Sequence, residues 1–243
     1  MREPLVIAVA QPACTALDVE ANAAAHAAAV REARARVVVF PELSLTGYEF
    51  TAPALSPDDP RLAPLVEACA ETGSLALAGA PVQGEGGHRH IAILAVDGTG
   101  ATVAYRKQWL GGREPDHFAP GPSPAVLDVD GWRLGLAVCK DTGILRHAAD
   151  TAALGMDVYV ASVLDFEEEA HVPAERAHRT ATAHRVHVAV ASFAGPTGEG
   201  YDRTAGRSGV WGPDGVPLAR CGPEPGTVAT ALLTSTGGGP GRP

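Results

Sequence analysis

Runs of apolar β-formers that stop abruptly on a reactive side chain set the tightest limit on how this chain folds. Val37 to Phe40 meet Pro41 and then Glu42, Ala101 to Arg106 end on Lys107, and Arg133 to Val138 deliver Cys139. Runs this short have the length of buried strands and fall below that of an average helix. Alanine-rich segments with helical spacing lie between them. Strands are expected at Val6 to Ala10, Val37 to Phe40, Leu75 to Ala80, His90 to Val96, Ala101 to Arg106, Ala125 to Val129, Arg133 to Val138, Val158 to Val163, His187 to Phe193, Gly206 to Trp211 and Thr227 to Leu232. Helices are expected at Asn22 to Ala35, Leu62 to Glu71, His147 to Leu154 and Ala174 to Arg185. Asp97-Gly98 and Asp130-Gly131 carry the turn chemistry of hairpins, and GEGGHRH (84–90) reads as a hairpin loop. Alternation of this kind gives an α/β protein with a large mixed sheet, its faces covered by helices in a layered sandwich.

The chain has 243 residues, a size at which one α/β core commonly stays undivided. We expect a single domain over 1–234 and a mobile Gly/Pro-rich tail at 235–243. A net charge of −9 repels nucleic-acid backbones and anionic membranes, which leaves a small molecule as the expected partner. The longest apolar runs are strand-sized and far short of a membrane span. The opening MREPLVIAVAQPAC has too short an apolar stretch for a secretory leader and reads as a first core strand, so a cytoplasmic location is expected. The four cysteines, Cys14, Cys69, Cys139 and Cys221, show no paired spacing and read as free thiols.

In open α/β sheets the ligand crevice lies at the carboxyl ends of strands, where side chains remote in sequence converge. A carboxylate, an ammonium and a thiol there form a set for acyl transfer. Cys139 is the candidate nucleophile, although a thiol is mostly protonated near neutrality at its ordinary pKa of about 8.5. Glu42 is the candidate base, its pKa raised by partial burial. Lys107 and the backbone N–H of Lys140 would face a developing oxyanion. Taken singly, each has a plainer reading: a small buried hydrophobe for the cysteine, chain reaching water for the charges.

The blocks FPELSLTGY, YRKQWL and GLAVCKD, in that order, resemble the nitrilase superfamily of carbon–nitrogen hydrolases. REPDHFAPG (113–121), LGMDVYVASV, ERAHRTATAHRVHVAVAS and GRSGVWGPDG extend the resemblance over nearly the whole chain. It implies a four-layer αββα sandwich, usually dimeric or further assembled, and hydrolysis of a small aliphatic or polar amide with no metal or organic cofactor. Glu114 then corresponds to a second glutamate that positions the lysine and substrate, and Cys139 forms a thioester that water resolves with Glu42 as base. The segment CKDTGILRHAAD keeps an acidic residue, Asp141, but lacks the aromatic and proline common in relatives, so Lys140 and Thr142 to Arg146 are expected to alter the pocket wall, with Lys140 and Asp141 as substrate-binding candidates. Tyr48 and Trp109 are further lining candidates. An aromatic content of 5% argues against a pocket built for aromatic nitriles.

Other readings are set against this one. N-carbamoyl amino acid hydrolysis and acyl transfer to an acceptor other than water use the same residues. A non-catalytic binding protein would have a thiol of ordinary reactivity. A metallohydrolase would need a ligand cluster, for which Glu175, His178, His184 and His187 are the nearest approach, without HExxH spacing.

Overall fold

The computed structural model describes residues 2–235 of the chain. Two six-stranded mixed sheets stack face to face. The first contains β1 (Leu5–Gln11), β2 (Val37–Val39), β3 (Leu75–Gln83), β4 (Arg89–Asp97) and β5 (Gly100–Arg106), with β12 (Thr227–Leu233) at its edge, in the order β12-β1-β2-β3-β4-β5. The second contains β6 (Ala125–Val129), β7 (Trp132–Val138), β8 (Val158–Val163), β9 (His187–Ser192), β10 (Gly209–Trp211) and β11 (Pro217–Arg220), in the order β11-β10-β9-β8-β7-β6. Strands β1, β2 and β3 run parallel, as do β7, β8 and β9, and antiparallel hairpins flank both trios. Helices α1 (Val19–Ala33) and α2 (Ala63–Thr72) cover the first sheet; α3 (Leu145–Ala153) and α4 (Val172–His184) cover the second. The architecture is the four-layer αββα sandwich.

Strand alternation builds the layers. Ile7, Val9, Val37, Val39, Leu75 and Leu77 point between the sheets, where they meet Leu134, Leu136, Val138, Val158 and Val160. Their neighbours Ala8, Ala10, Val38, Ala76 and Ala78 point outward against Ala23, Ala27, Val30, Leu65 and Ala68 of the helices. Because the side-chain period of a strand is 2, one sequence feeds both interfaces, and a one-residue slip would exchange them. Each fully buried Val, Leu or Ile contributes roughly 1.5–3 kcal/mol, so the register is strongly determined. Small alanines on the outer faces let alanine-rich helices lie close.

The expected hairpins are present: Asp97 pairs with Gly100, Val129 pairs with Trp132, and Gly84 N–H donates to His88 O. Helix α1 begins earlier than expected because Asp18 Oδ1 accepts from Ala21 N–H and caps it. Strand β10 is shorter than expected because Gly206 and Arg207 both take left-handed backbone angles, which no strand accommodates. Strand β11 was not anticipated; it is an exposed edge strand opening on a proline and carries no apolar alternation. Apart from Ser235, the tail expected at 235–243 lies outside the described residues. Among those described, no helix is long and apolar enough to cross a membrane.

Candidate active site

Both sheets contribute to one cleft at strand carboxyl ends. After β2 the Phe40 N–H still donates to Leu77 O at 2.9 Å, then Pro41 ends the ladder and Leu43, at φ +51°, turns the chain. This turn leaves Glu42 fully buried. Gly79 of β3 makes room for it, since a Cβ there would come within 2.3 Å of Leu43 N. Lys107 follows β5, its N–H bonded to Ile91 O and its carbonyl accepting from Gly121 N–H at 2.7 Å. Cys139 follows β7 at φ +42°, a strained corner of the kind found at functional sites.

Lys107 Nζ lies 2.6 Å from Glu42 Oε1 and 2.6 Å from Glu114 Oε1. Glu114, in a short turn after β5, is fixed by Gly111 N–H donating to its Oε2 at 2.7 Å. One buried ammonium thus serves two buried carboxylates. Glu42 Oε2 is buried without a hydrogen-bond partner, and the Cys139 thiol, which donates to Leu164 O at 3.5 Å, lies close enough to perturb it.

Burial pushes the Glu42 pKa up to about 8; the Lys107 charge opposes this and the Glu114 charge adds to it. Burial works against the Lys107 charge, but Glu42, Cys139 and Glu114 outweigh it and hold its pKa above the ordinary lysine value. Both shifts are upward, yet they disagree about the ion pair: the raised lysine stays charged while the raised Glu42 binds a proton readily. Geometry reconciles them, because one ammonium cannot neutralise two carboxylates in a dry site. Burial, reinforced by the Glu42 charge, raises the Cys139 pKa well above that of a free thiol, so its proton needs an acceptor at hand.

Asp141 is fully buried and does not line the cleft. Its position two residues after Cys139 predicts a place at the substrate; instead Oδ1 accepts from Trp109 N–H at 2.9 Å, and Oδ2 accepts from Val138 N–H at 3.0 Å and the Tyr105 hydroxyl at 2.8 Å. It ties the loop after Lys107 to the corner before Cys139. Behind it, Tyr105 Oη lies 2.9 Å from His147 Nε2, and Tyr159 Oη lies 2.9 Å from His147 Nδ1. With a neutral imidazole the donors close in one direction: Tyr159 to Nδ1, Nε2–H to Tyr105, Tyr105 to Asp141. Asp141→Asn would turn an amide N–H₂ against one of these donors, and we expect a loss of roughly 1–3 kcal/mol in denaturant unfolding together with a lower kcat. Unchanged values of both would remove Asp141 from this positioning role.

The cleft measures about 300 Å³ and is lined by Tyr48, Phe50, Lys107, Glu114, Cys139, Lys140, Leu164, Phe166, Glu199 and Tyr201, with Gly111 to Arg113 at one side. Lys107, Glu114 and Cys139 form its floor with the buried Glu42 behind Lys107, and Tyr48 Oη approaches Glu114 Oε1 at 3.5 Å. Trp109 is exposed and contributes only its backbone N–H. Phe166, Glu199 and Tyr201 were not foreseen. Phe166 and Tyr201 stack at 4.2 Å, and Glu199 Oε1 accepts from Phe50 N–H at 3.0 Å. The chain-wide aromatic content therefore underestimated the cleft, which gathers four aromatic rings. Asp165 was also overlooked, although the apolar run VASVL at the end of β8 stops on a reactive side chain just as the other three runs do. Burial raises its pKa to about 7 against the opposing charge of Arg176. As for the histidines, His178 Nδ1 faces Gly215 O and His187 opens β9 edge-on to Trp132.

A lysine bridging two buried glutamates beside a cysteine at a strained strand end, all between stacked mixed sheets, defines a class of cysteine-containing α/β-sandwich site. Residues 6–239 match the family model for carbon-nitrogen hydrolases, and the chain belongs to that family. It is 27% identical over 219 residues to a Pseudomonas protegens protein described as a hydrolase in the pqqF 5' region, covering 85% of this chain and 75% of that relative. An amidase from Nesterenkonia sp. AN1, solved as a double mutant in complex with acrylamide, superposes with a TM-score of 0.84 at 26% identity, covering 96% of this chain and 92% of that one. A second structure of that amidase, assigned to the nitrilase superfamily, gives 0.83 at 27%, with 95% and 91% covered.

Proposed function

We propose that this hydrolase cleaves small linear amides through a thioester on Cys139, with no group needed beyond its own side chains and water. The observation that carries the reading is the unpartnered Glu42 Oε2 beside the thiol, its other oxygen held by Lys107. Glu42 takes the thiol proton as Sγ attacks the amide carbon. Two of the three Lys107 N–H donors are committed to glutamates, which leaves the third for the oxyanion, joined by the Lys140 backbone N–H. Collapse breaks the C–N bond, and Glu42 passes its proton to the departing nitrogen. Water, deprotonated by Glu42, then cleaves the thioester and the proton returns to sulfur. One amide and one water give one acid and one ammonia. The crystallised acrylamide complex of the Nesterenkonia amidase supports a small amide as substrate class.

Because Glu42 must be ionised to accept the proton, its raised pKa places a rising limb of kcat/KM near pH 8. Ammonia release from a panel of short aliphatic amides, followed from mildly acidic to alkaline pH, checks substrate class and base together. A profile flat through that window would remove Glu42 as the base. Absence of ammonia from every amide would remove the amidase reading.

A further inference from the structure

The peptide unit joining Cys139 to Lys140 carries the backbone N–H assigned above to the oxyanion, and its other end is engaged as well. Its carbonyl, Cys139 O, accepts from the Thr142 hydroxyl at 2.7 Å. A threonine hydroxyl returning to the carbonyl three residues back is an ordinary local contact. Here the same hydroxyl also meets Arg176 Nη1 at 3.3 Å. A guanidinium can only donate, so Thr142 Oγ1 receives the Arg176 N–H on a lone pair and its single proton is left for Cys139 O. Guanidinium, hydroxyl and peptide therefore stand in line with one direction of donation.

The surroundings fix this line and strengthen it. Thr142 is buried, and with Arg176 it borders a small cavity beneath α4 whose walls include Ala161, Val163, Val188 and Val190. Hydrogen bonds in series polarise one another, and each is stronger away from water. Gly143 leaves the guanidinium its place, since a Cβ there would lie 3.3 Å from Arg176 Cζ. Arg179, on the same helix, donates from Nη2 to Thr142 O at 3.0 Å and holds the turn from the same side. Asp165 borders the cavity too but forms no ion pair with Arg176. Electron density drawn toward a peptide oxygen passes through the conjugated C–N bond and makes the N–H a better donor. We propose that Arg176 and Thr142 are positioning residues for the reaction, a relay that polarises the Cys139–Lys140 peptide and so strengthens the Lys140 N–H as an oxyanion donor. Helix α4, which lends no side chain to the cleft, acts on the chemistry by this route. The proposal rests on the amidase reading and on the part that reading gives to the Lys140 N–H.

The test compares the wild type with Thr142→Val, which keeps the shape and removes the hydroxyl, Thr142→Ser, which keeps the hydroxyl, and Arg176→Met, which keeps an unbranched stem. Because the N–H meets full charge only in the transition state, Thr142→Val should lower kcat for butyramide by about three- to tenfold, the scale of one hydrogen bond, with KM unchanged. Thr142→Ser should restore most of the rate, and Arg176→Met should show a smaller loss of the same kind. An unchanged kcat in folded Thr142→Val, or a Thr142→Ser no faster than Thr142→Val, would overturn the proposal and leave the amidase reading standing. Should Thr142→Val fail to fold, Arg176→Met decides by the same criterion of kcat against KM. An independent readout is butyraldehyde, whose carbonyl carbon bonds to Cys139 Sγ while the thiol proton passes to Glu42, leaving an oxyanion with no amine to expel. Its dissociation constant, measured by protection of Cys139 from iodoacetamide, should rise in Thr142→Val by about the factor that kcat loses. If the wild type hydrolyses no amide, the amidase reading fails and the aldehyde decides the relay alone: weaker binding in Thr142→Val retains it, and equal binding or no adduct overturns it.

Discussion

Replacing Cys139 by alanine is expected to lower amide hydrolysis by on the order of 10⁴-fold or more, because no other group in the cleft can form the acyl intermediate. The fold should persist. Cysteine packs as a small hydrophobe, alanine keeps its Cβ, and the left-handed corner at φ +42° is the same for either residue, so stability should move by no more than about 1 kcal/mol. The measurement pairs ammonia release with urea unfolding on the same preparation. Substantial turnover by the folded variant would show that the reaction bypasses the thioester, and the chemistry assigned to Glu42 would fall with it.

The second large effect is on stability. Lys107→Met should destabilise the protein by about 3–5 kcal/mol, since it strands Glu42 and Glu114 in a buried site with no counter-charge. Its pH dependence follows from linkage. A carboxyl whose folded pKa stands above its unfolded value favours the native state at pH below the unfolded value, and that advantage disappears as pH rises through the folded value. Glu42 already titrates near 8 in the presence of Lys107 against an ordinary value of 4.5, and loss of the ammonium pushes it further up. The deficit of the variant should therefore be small in mild acid and widen through neutral and alkaline pH. Denaturant midpoints taken across that range check it, and a deficit that does not vary with pH would contradict a charged lysine between the glutamates.

Most of the fold was legible because strand and helix periods are local properties. Val158–Val163 and Ala125–Val129 appear with the expected bounds. The parts that escaped are those where the backbone overrides the pattern: left-handed angles at Gly206 and Arg207 shorten β10, and β11 survives as an edge strand without any apolar rhythm. The floor of the cleft was legible for a similar reason, since a charge or thiol ending an apolar run is visible in one dimension. Its walls were not. Phe166, Glu199 and Tyr201 lie on loops whose path depends on contacts such as the Thr197 hydroxyl donating to Gly47 O, across 150 positions of sequence. Asp141 was misplaced because sequence proximity to Cys139 says nothing about direction, and its carboxylate turns into the protein, away from the cleft.

Glu42 and Lys107 descend from one sheet, while Cys139 stands on the other, so the reacting groups face each other across the slip plane of the sandwich. Activity then gauges how truly the two sheets are seated. A substitution such as Val9→Ala or Ala189→Val, in the middle of the shared core and remote from any substrate, can shift one sheet by a fraction of an ångström without melting either. Turnover would record that shift in addition to the stability such a substitution costs, which makes the chemistry itself a strain gauge of the fold.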